Sequence, residues 1–462
     1  MQELNLGYHY PIIYWNTACL IINAGANEEL DDNKSTQYGK IAKAIANFKQ
    51  RSIIVDRPLI NEAKFSFVPD EKNNRIIFSF KGLCGIGDDI ARAIVEHQPY
   101  SSFEDFCKRM VDTKIIGTAK MIILIKAGCF NELDSPDRME TMKKFLSRNV
   151  FTPTDKLTMQ QFNSALEYDI FPKEMETMIR IKNFKAYALH ESFFLKNIID
   201  EGKKVPKKGY HDRYFALDER GTEFLMEHFN TCIVGTKEDG VIISEKLFNK
   251  EWDALIQPLK DYMALPETLQ LYNQKKLDST MESYASGSLE QWDMESLSYY
   301  PDRHELWNLN EPKYGVVDYN SLPEIPEVYD YTTRRVRGEI KHFPKYKIFR
   351  LAGTVLDSDN NKHLVTLLTN HSVVTCKYNK GQYSYYNKRI SEQTPAGKKK
   401  VLEESWFKRG SKIIVCGYRR EDQFVVTKYA DTVYTHTTNR IEEIYNDGTI
   451  LAQTDRKKVG EE

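Results

Sequence analysis

The stretch that decides the reading is residues 76–110, IIFSFKGLCGIGDDIARAIVEHQPYSSFEDFCKRM. An apolar, strand-like run leads into a tight Gly85-Ile86-Gly87 turn, and the turn feeds an amphipathic helix. Its expected apolar face is Ile90, Ala93 and Ile94, followed by Phe103 and Phe106. Glycines at 85 and 87 permit backbone conformations that a side chain hinders, and they let an anion come close to the main chain. The amides that open the helix, Asp88 to Ala91, lack intrahelical acceptors, and such a terminus favours an anion. A lone Gly-x-Gly is an ordinary turn in most proteins; the strand before it and the helix after it make this one specific.

The order is that of a helix-hairpin-helix module, which holds a nucleic-acid backbone without reading bases. Together with FEDFCKRM at 103–110 and LIKAGCFNEL at 124–133, it resembles the end of the fingers and the tandem helix-hairpin-helix region of bacterial replicative DNA polymerase III alpha subunits of the DnaE type. Three more segments agree in the family's order. Tyr8–Leu20 (YHYPIIYWNTACL) is similar to a His-Tyr-Pro helix of the fingers. Trp292–Leu306 (WDMESLSYYPDRHEL) is similar to a Trp-Glu-x-Glu-x-Leu-Gly-Phe-Tyr helix, and Phe349–Lys428 to the family's OB-fold. The resemblance is thin between about 150 and 285.

The departures carry information too. Cys84 stands where the family usually has a lysine, which removes one expected phosphate contact. Pro301-Asp302-Arg303 replaces small residues before His304, and Glu305 replaces a proline after it. The family's palm aspartates, including a Pro-Asp-Ile-Asp type motif that binds two metal ions for phosphoryl transfer, have no counterpart. Pro69-Asp70-Glu71 lies in an expected hairpin turn instead. The resemblance therefore implies a chain without PHP, palm and thumb domains, one that starts within the fingers and does not polymerise DNA alone.

Composition bounds the classes. The 462 residues carry a net charge of −1, so a DNA footprint has to be built from local patches. The seven cysteines (19, 84, 107, 129, 232, 376, 416) form no Cys-x-x-Cys pair and read as reduced core residues, with no disulfide framework or metal site. No apolar run reaches membrane-spanning length and no signal-peptide pattern opens the chain, so the expected location is the cytoplasm of a bacterium, or of the host of a phage. The ten histidines are dispersed, which counts against a separate nuclease or metal enzyme.

The expected fold is α+β and multidomain, mainly helical over its first two thirds, with helix-hairpin-helix motifs and then a C-terminal five-stranded OB-type β-barrel. Residues 1–62 are expected to be a helical remnant of fingers, with Tyr14, Ala18, Cys19 and Ile22 as one core stripe and Ile41, Ile45 and Phe48 as another. Residues 63–150 form a β-hairpin and the tandem helix-hairpin-helix region. A second hairpin at Ala127-Gly128 competes there with a plain glycine helix stop. Residues 151–310 are helical, with a small inserted sheet around 231–244 turning at Glu238-Asp239-Gly240 and a Lys-rich solvated turn at Lys203, Lys204, Lys207 and Lys208. Leu157–Phe171 invites comparison with a clamp-binding peptide, but the anchor spacing favours a surface helix stop. Residues 311–344 read as a linker whose basic cluster, Arg334, Arg335, Arg337 and Lys341 with Lys345 and Lys347, serves phosphate contact or solubility equally well. Residues 345–435 are the OB-fold and 436–462 a frayed polar tail.

The resemblance implies two DNA contacts. Gly85, Ile86, Gly87 and Asp88 would hold the backbone of product duplex, with Lys81 adding charge. In the OB unit, Lys377, Tyr378, Tyr383, Tyr385, Tyr386, Trp406, Lys408 and Arg409 are candidates for stacking and steering single-stranded template. No cofactor is expected on this chain; Mg²⁺ would sit in a palm on an N-terminal polymerase fragment, the expected partner besides DNA, with a sliding clamp as a further one. The competing reading is a stand-alone DNA-binding accessory protein built from the same modules. The two diverge on one structural point: an incomplete fingers domain leaves apolar surface exposed on residues 1–60, whereas an accessory protein covers it.

Overall fold

A computed structural model of the chain describes residues 11–26, 35–49, 52–195, 212–237, 240–393, 399–428 and 437–457. The chain divides into two compact units, one made of residues 1–142 and 287–462, the other of residues 143–286. The fold is α+β, as expected. Helices and a helix-hairpin-helix region precede a closed five-stranded barrel of OB type.

The first unit opens with helices Ile12–Ala24 and Tyr38–Lys49. In the second, Ile41, Ile45 and Phe48 are buried as their spacing requires. In the first, the core face is Ile13, Thr17, Leu20 and Ala24, so the stripe through Tyr14, Ala18, Cys19 and Ile22 faces solvent. Both faces of that helix are apolar, and periodicity alone could not choose between them. A small sheet follows. Strand β1 (Ile54–Asp56) runs parallel to β3 (Arg75–Ile77), and β2 (Val68–Asp70) runs antiparallel to it, with Val68 opposite Ile77. Arg75 ties the sheet together through Asp56, Glu62 and Asp70. Then come helices Asp88–Glu96, Phe103–Phe106 (continued by a wider π-type turn, Cys107–Val111) and Thr118–Lys126. The Asp88–Glu96 helix buries Ala91 and Ile94, with Ile90 and Ala93 half-buried on its flanks. Phe130 meets Phe103 and Phe106 edge-to-face.

In the second unit, strands β4 (Tyr214–Ala216), β5 (Ile233–Lys237) and β6 (Gly240–Ser244) form an antiparallel sheet in the order β4-β6-β5. Its core joins Phe215 and Ile243 to Ile181, Phe184, Phe229 and Phe248 from helices Glu176–Ala188 and Glu245–Leu255 and the end of Glu219–His228. Leu157, Phe162 and Ile170 lie in a neighbouring apolar cluster with Leu259 and Tyr272, so the anchors of the segment compared with a clamp peptide are buried in this unit. Glu238-Asp239 and the four lysines at 203–208 lie outside the described residues, as do Tyr8 to Tyr10.

Residues 287–310 return to the first unit, so the boundary expected at 310 falls earlier. Their helix, Leu289–Ser296, carries Asp293 into a buried ionic cluster. Arg57 grips it with two nitrogens at 2.6 and 2.9 Å, and Arg138 approaches at 2.5 Å. The expected linker is not irregular throughout: β7 (Val328–Val336) and β8 (Glu339–Tyr346) pair as a two-stranded ribbon. Alternation was hard to see there because both faces mix polar and apolar residues and neither is buried.

The barrel consists of β9 (Phe349–Asp359), β10 (Leu364–Leu368), β11 (Val373–Lys377), β14 (Lys412–Arg420) and β15 (Gln423–Val426). β9 pairs with both β10 and β14, β11 runs parallel to β15, and β15 pairs back onto β14, which closes the ring. This connectivity is that of an OB-fold. Between β11 and β14 lie helix Lys380–Asn387 and a hairpin of β12 (Ile390–Gln393) and β13 (Lys399–Glu403). The expected frayed tail instead contains β16 (Thr438–Ile444), added to β14, and β17 (Ile450–Gln453), added to β16. Arg456 then bonds Glu403 inside the protein, with both side chains 2% exposed. Main-chain pairing with β14 and this buried ion pair hold a segment whose polar composition gave no sign of order.

Candidate nucleic-acid interface

At the hairpin, the two glycines do different work. Gly85 has φ +84°, a left-handed conformation that side chains adopt at a cost, and a Cβ there would sit 3.1 Å from Ile123 Cδ1. Gly87 has φ −82° and ψ 165°, ordinary extended backbone, and it is the N-cap of helix Asp88–Glu96. A Cβ at Gly87 would meet nothing within 4 Å. Neither packing nor backbone geometry requires glycine at 87; open space directly over a helix N-terminus is what an approaching anion needs. The first intrahelical bond runs from Ala91 N–H to Gly87 O at 3.0 Å, so the amides open to a ligand are those of Asp88, Asp89 and Ile90, one fewer than the sequence implied.

The same arrangement recurs. Ile116-Gly117 stands 30 positions after Ile86-Gly87, Gly117 caps helix Thr118–Lys126 with φ −84° and ψ 164°, and its Cβ position is equally empty. Ile86 and Ile116 are both buried beneath their turns. The second hairpin is thus at Gly117. Ala127-Gly128 is the helix stop: Gly128 (φ +78°) and Cys129 return their amides to Ile125 and Leu124, a Schellman ending. The signal was present as the spacing from a glycine to the buried pair Ala91/Ile94, repeated as Met121/Leu124, but without a second Gly-x-Gly it went unread.

The charges are distributed differently from expectation. Lys81 is not a free cation: its ammonium pairs with Asp88 Oδ1 and its side chain is 12% exposed, which offsets an acid at the helix start. Two other cations lie at the turn. Lys120 donates to Gly85 O at 2.5 Å from the first turn of the second repeat. Arg409, from the barrel, lies 4.6 Å from the ring centroid of Tyr38, and Tyr38 in turn accepts from Gly85 N–H at 3.5 Å and donates to Leu83 O at 3.3 Å. Tyr38 therefore joins the hairpin to the barrel, beside a groove of about 340 Å³ that also includes Lys40, Asp357 and Arg409. Sequence reasoning missed Tyr38 because nothing local distinguishes it from a helix-start aromatic.

Cys84, at the position of the missing lysine, packs inward. Its amide bonds Ser296 O at 2.8 Å and its thiol lies 2.9 Å from Ser298 Oγ. Burial raises the thiol pKa against the opposing influence of Arg409 and Ser298, so the residue buttresses the turn as a neutral group. His304 is likewise neutral. Its Nδ1 accepts from Leu306 N–H and its Nε2 donates to Leu368 O, both at 3.0 Å, and burial pushes its pKa down to about 4.

On the barrel, the expected stacking platform is mostly core. Trp406 is fully buried, donates to Glu403 Oε1 at 2.8 Å and stacks on Tyr386. Tyr378 and Tyr383 are 2% and 3% exposed and bond Thr438 and Asn360. Rings enclosed on both faces offer no surface to a base, which removes Tyr378, Tyr383, Tyr386 and Trp406 from that role. Tyr385 is 49% exposed and Lys408 is exposed, while Arg409 is half-buried on Tyr38. Lys377 is half-buried and tethered by its ammonium to Lys362 O. The candidates the fold brings together are thus Gly85, Gly87 and Asp88 with Arg409; Ile86 is the buried anchor beneath them. Among the described residues, no cluster of three or more His, Cys, Asp or Glu side chains is placed to hold a metal ion, and no helix is long and apolar enough to cross a membrane.

Residues 52–140 match the helix-hairpin-helix motif family. The chain is 40% identical over 470 aligned positions to a probable DNA polymerase, YorL, of Bacillus subtilis strain 168, and equally to a DNA-directed DNA polymerase of Bacillus phage SPbeta. The alignments cover 99% of this chain and 34% of each relative, so the chain spans about a third of the length of the curated relatives it matches.

Proposed function

We propose that this chain is the DNA-holding portion of a replicative DNA polymerase of the polymerase III alpha (DnaE) type. In this reading the two hairpin repeats grip the backbone of product duplex, and the barrel guides single-stranded template past Arg409, Lys408 and Tyr385. Nucleotidyl transfer takes place with Mg²⁺ on a palm outside these residues, supplied by a separate polypeptide. The observation that carries the proposal is the pair of glycine N-caps, Gly87 and Gly117, with matching backbone angles and vacant Cβ positions that nothing in the protein requires. Contacts there bind phosphates irrespective of sequence, as a polymerase needs. The relatives named as DNA polymerases support the same assignment.

The partner polypeptide is favoured over the accessory reading by one surface. Along helix Ile12–Ala24, Ile12, Trp15 and Ile22 are 54%, 52% and 65% exposed, with exposed Cys19 in the same stripe. An apolar ridge of this kind marks an interaction face, and the remainder of a fingers domain is its natural cover.

The test is primer extension with Mg²⁺, using the chain alone and then mixed with the upstream polymerase fragment. Extension only in the mixture is expected. Extension by the chain alone overturns the division of labour. Silence in both with DNA binding retained moves the assignment to the accessory protein.

A further inference from the structure

The β7–β8 ribbon is the longest exposed strand pair among the described residues: residue after residue on both strands is exposed. Tyr329, Tyr331, Ile340 and Phe343 are 55%, 60%, 67% and 42% exposed. An isolated two-stranded hairpin is marginal in water, and this one is secured at its root. There Lys345 pairs with Asp330 at 2.7 Å, Lys347 with Glu327 at 3.4 Å, and Tyr346 packs on Tyr418 of β14 at 4.6 Å between centroids. At the tip, Arg337 (φ +49°) and Gly338 (φ +87°) make the two-residue turn whose twist matches a hairpin. From Val328 to the turn the ribbon extends roughly 25–30 Å at about 3.4 Å per residue.

Its charge is divided between root and tip. The root cations have acid partners. Arg334, Arg335 and Arg337 have no ion pair among the described residues, and Arg334 stands directly opposite Lys341, whose ammonium lies 3.8 Å from Glu339. Like charges facing each other across a strand pair destabilise it. Arg334 and Lys341 share one face, Arg335 projects from the other, and Arg337 lies at the end. The ribbon thus carries Arg334, Arg335, Arg337, Lys341 and Lys345 against Asp330 and Glu339, in a chain whose net charge is −1.

We infer that this ribbon is a third DNA contact, inserted along the major groove of duplex DNA with its tip arginines on the phosphates of both walls. The inference rests on the DNA-holding reading above and adds an element that neither the hairpin repeats nor the barrel contains. A two-stranded ribbon fits the major groove, about 12 Å wide. Cations on both faces and at the tip are what two flanking phosphate rows would meet; a flat protein surface would meet one face only.

The test uses the full chain with Arg334→Gln, Arg335→Gln and Arg337→Asn combined. Asparagine keeps the left-handed turn position, and the three side chains make no bond among the described residues, so thermal melting should stay at the parental value. Binding to a blunt duplex and to a single strand is followed by fluorescence anisotropy across a salt series. Loss of three phosphate contacts lowers the magnitude of the log–log salt slope on duplex by about 2–3, with a clearly smaller change on single strands. An unchanged duplex slope overturns the inference and turns the exposed aromatics toward a protein partner; an equal loss on both DNAs overturns the groove. A parent chain that binds no DNA overturns the underlying reading as well. A parent that binds, loses affinity on Gly87→Ser and ignores the ribbon variant overturns the ribbon alone.

Discussion

Replacing Gly87 with serine separates structure from function at the hairpin. Its extended backbone suits any residue, the Cβ enters empty space, and a serine at a helix N-cap performs at least as well as glycine. Removing glycine also restricts the unfolded chain, by about 0.4–1 kcal/mol. Gly87→Ser is therefore expected to leave stability unchanged or raise it by up to about 1 kcal/mol. Binding behaves oppositely. The new hydroxyl can accept from the Ile90 amide and fills the approach to Asp88 and Asp89. Loss of even one charge-assisted contact costs about 1.5–3 kcal/mol, or roughly 10- to 150-fold in Kd for duplex. Gly85→Ala gives the reverse order of effects. Its φ of +84° and the 3.1 Å approach to Ile123 predict a loss of about 1–2 kcal/mol in stability, with binding weakened only as the turn distorts. Urea unfolding and duplex anisotropy on the same preparations measure both. A stable Gly87→Ser protein that binds duplex as tightly as the parent refutes the phosphate site.

Other consequences can be checked independently. Asp293→Ala leaves Arg57 and Arg138 buried without their shared carboxylate, and urea unfolding should register a loss of about 3–5 kcal/mol. Arg456→Met strands Glu403 in the same way, with a loss of similar size, about 3–5 kcal/mol, localised by faster amide exchange in β16 and β17. Burial raises the Glu403 pKa, but hydrogen bonds from Arg456 and Trp406 outweigh it and hold it below the usual glutamate value. Its contribution is present above the unfolded pKa of about 4.3 and is lost as pH falls through the lower folded value; Glu403→Gln should flatten that acid limb. His304, held neutral with a pKa of about 4, acts in a higher window. The unfolded chain takes up its proton near pH 6.5 and the folded chain does not, so stability declines from about pH 6.5 toward 4. Unfolding at stepped pH should show this slope in the parent and lose it in His304→Asn.

The sequence by itself determined the local grammar. The Gly85-Ile86-Gly87 turn before an amphipathic helix, the hairpin turn at Pro69-Asp70-Glu71 and the five-stranded barrel were all legible. Each is set by neighbouring residues: glycine at a left-handed position, a two- or three-and-a-half-residue apolar period, and turn-formers between strands. What lay beyond reach depended on which distant surface closes over a residue. Trp406 and Tyr378 look the same on a chain whether they face DNA or the inside of a barrel. Only closure of β15 onto β14 and β11, with Arg456 arriving from the far end of the chain, makes them core. Helix Ile12–Ala24 carries large apolar residues on both sides, so its buried side was chosen by what packs against it. Lys81 was read as free because Asp88 is an acid at a helix start, and only the fold of the turn brings the two together. Tyr38, 47 residues from Gly85, became part of the site through tertiary packing alone. Periodicity and turn chemistry are properties of adjacent residues; burial, charge pairing and the meeting of hairpin with barrel are decided only when remote segments share one core.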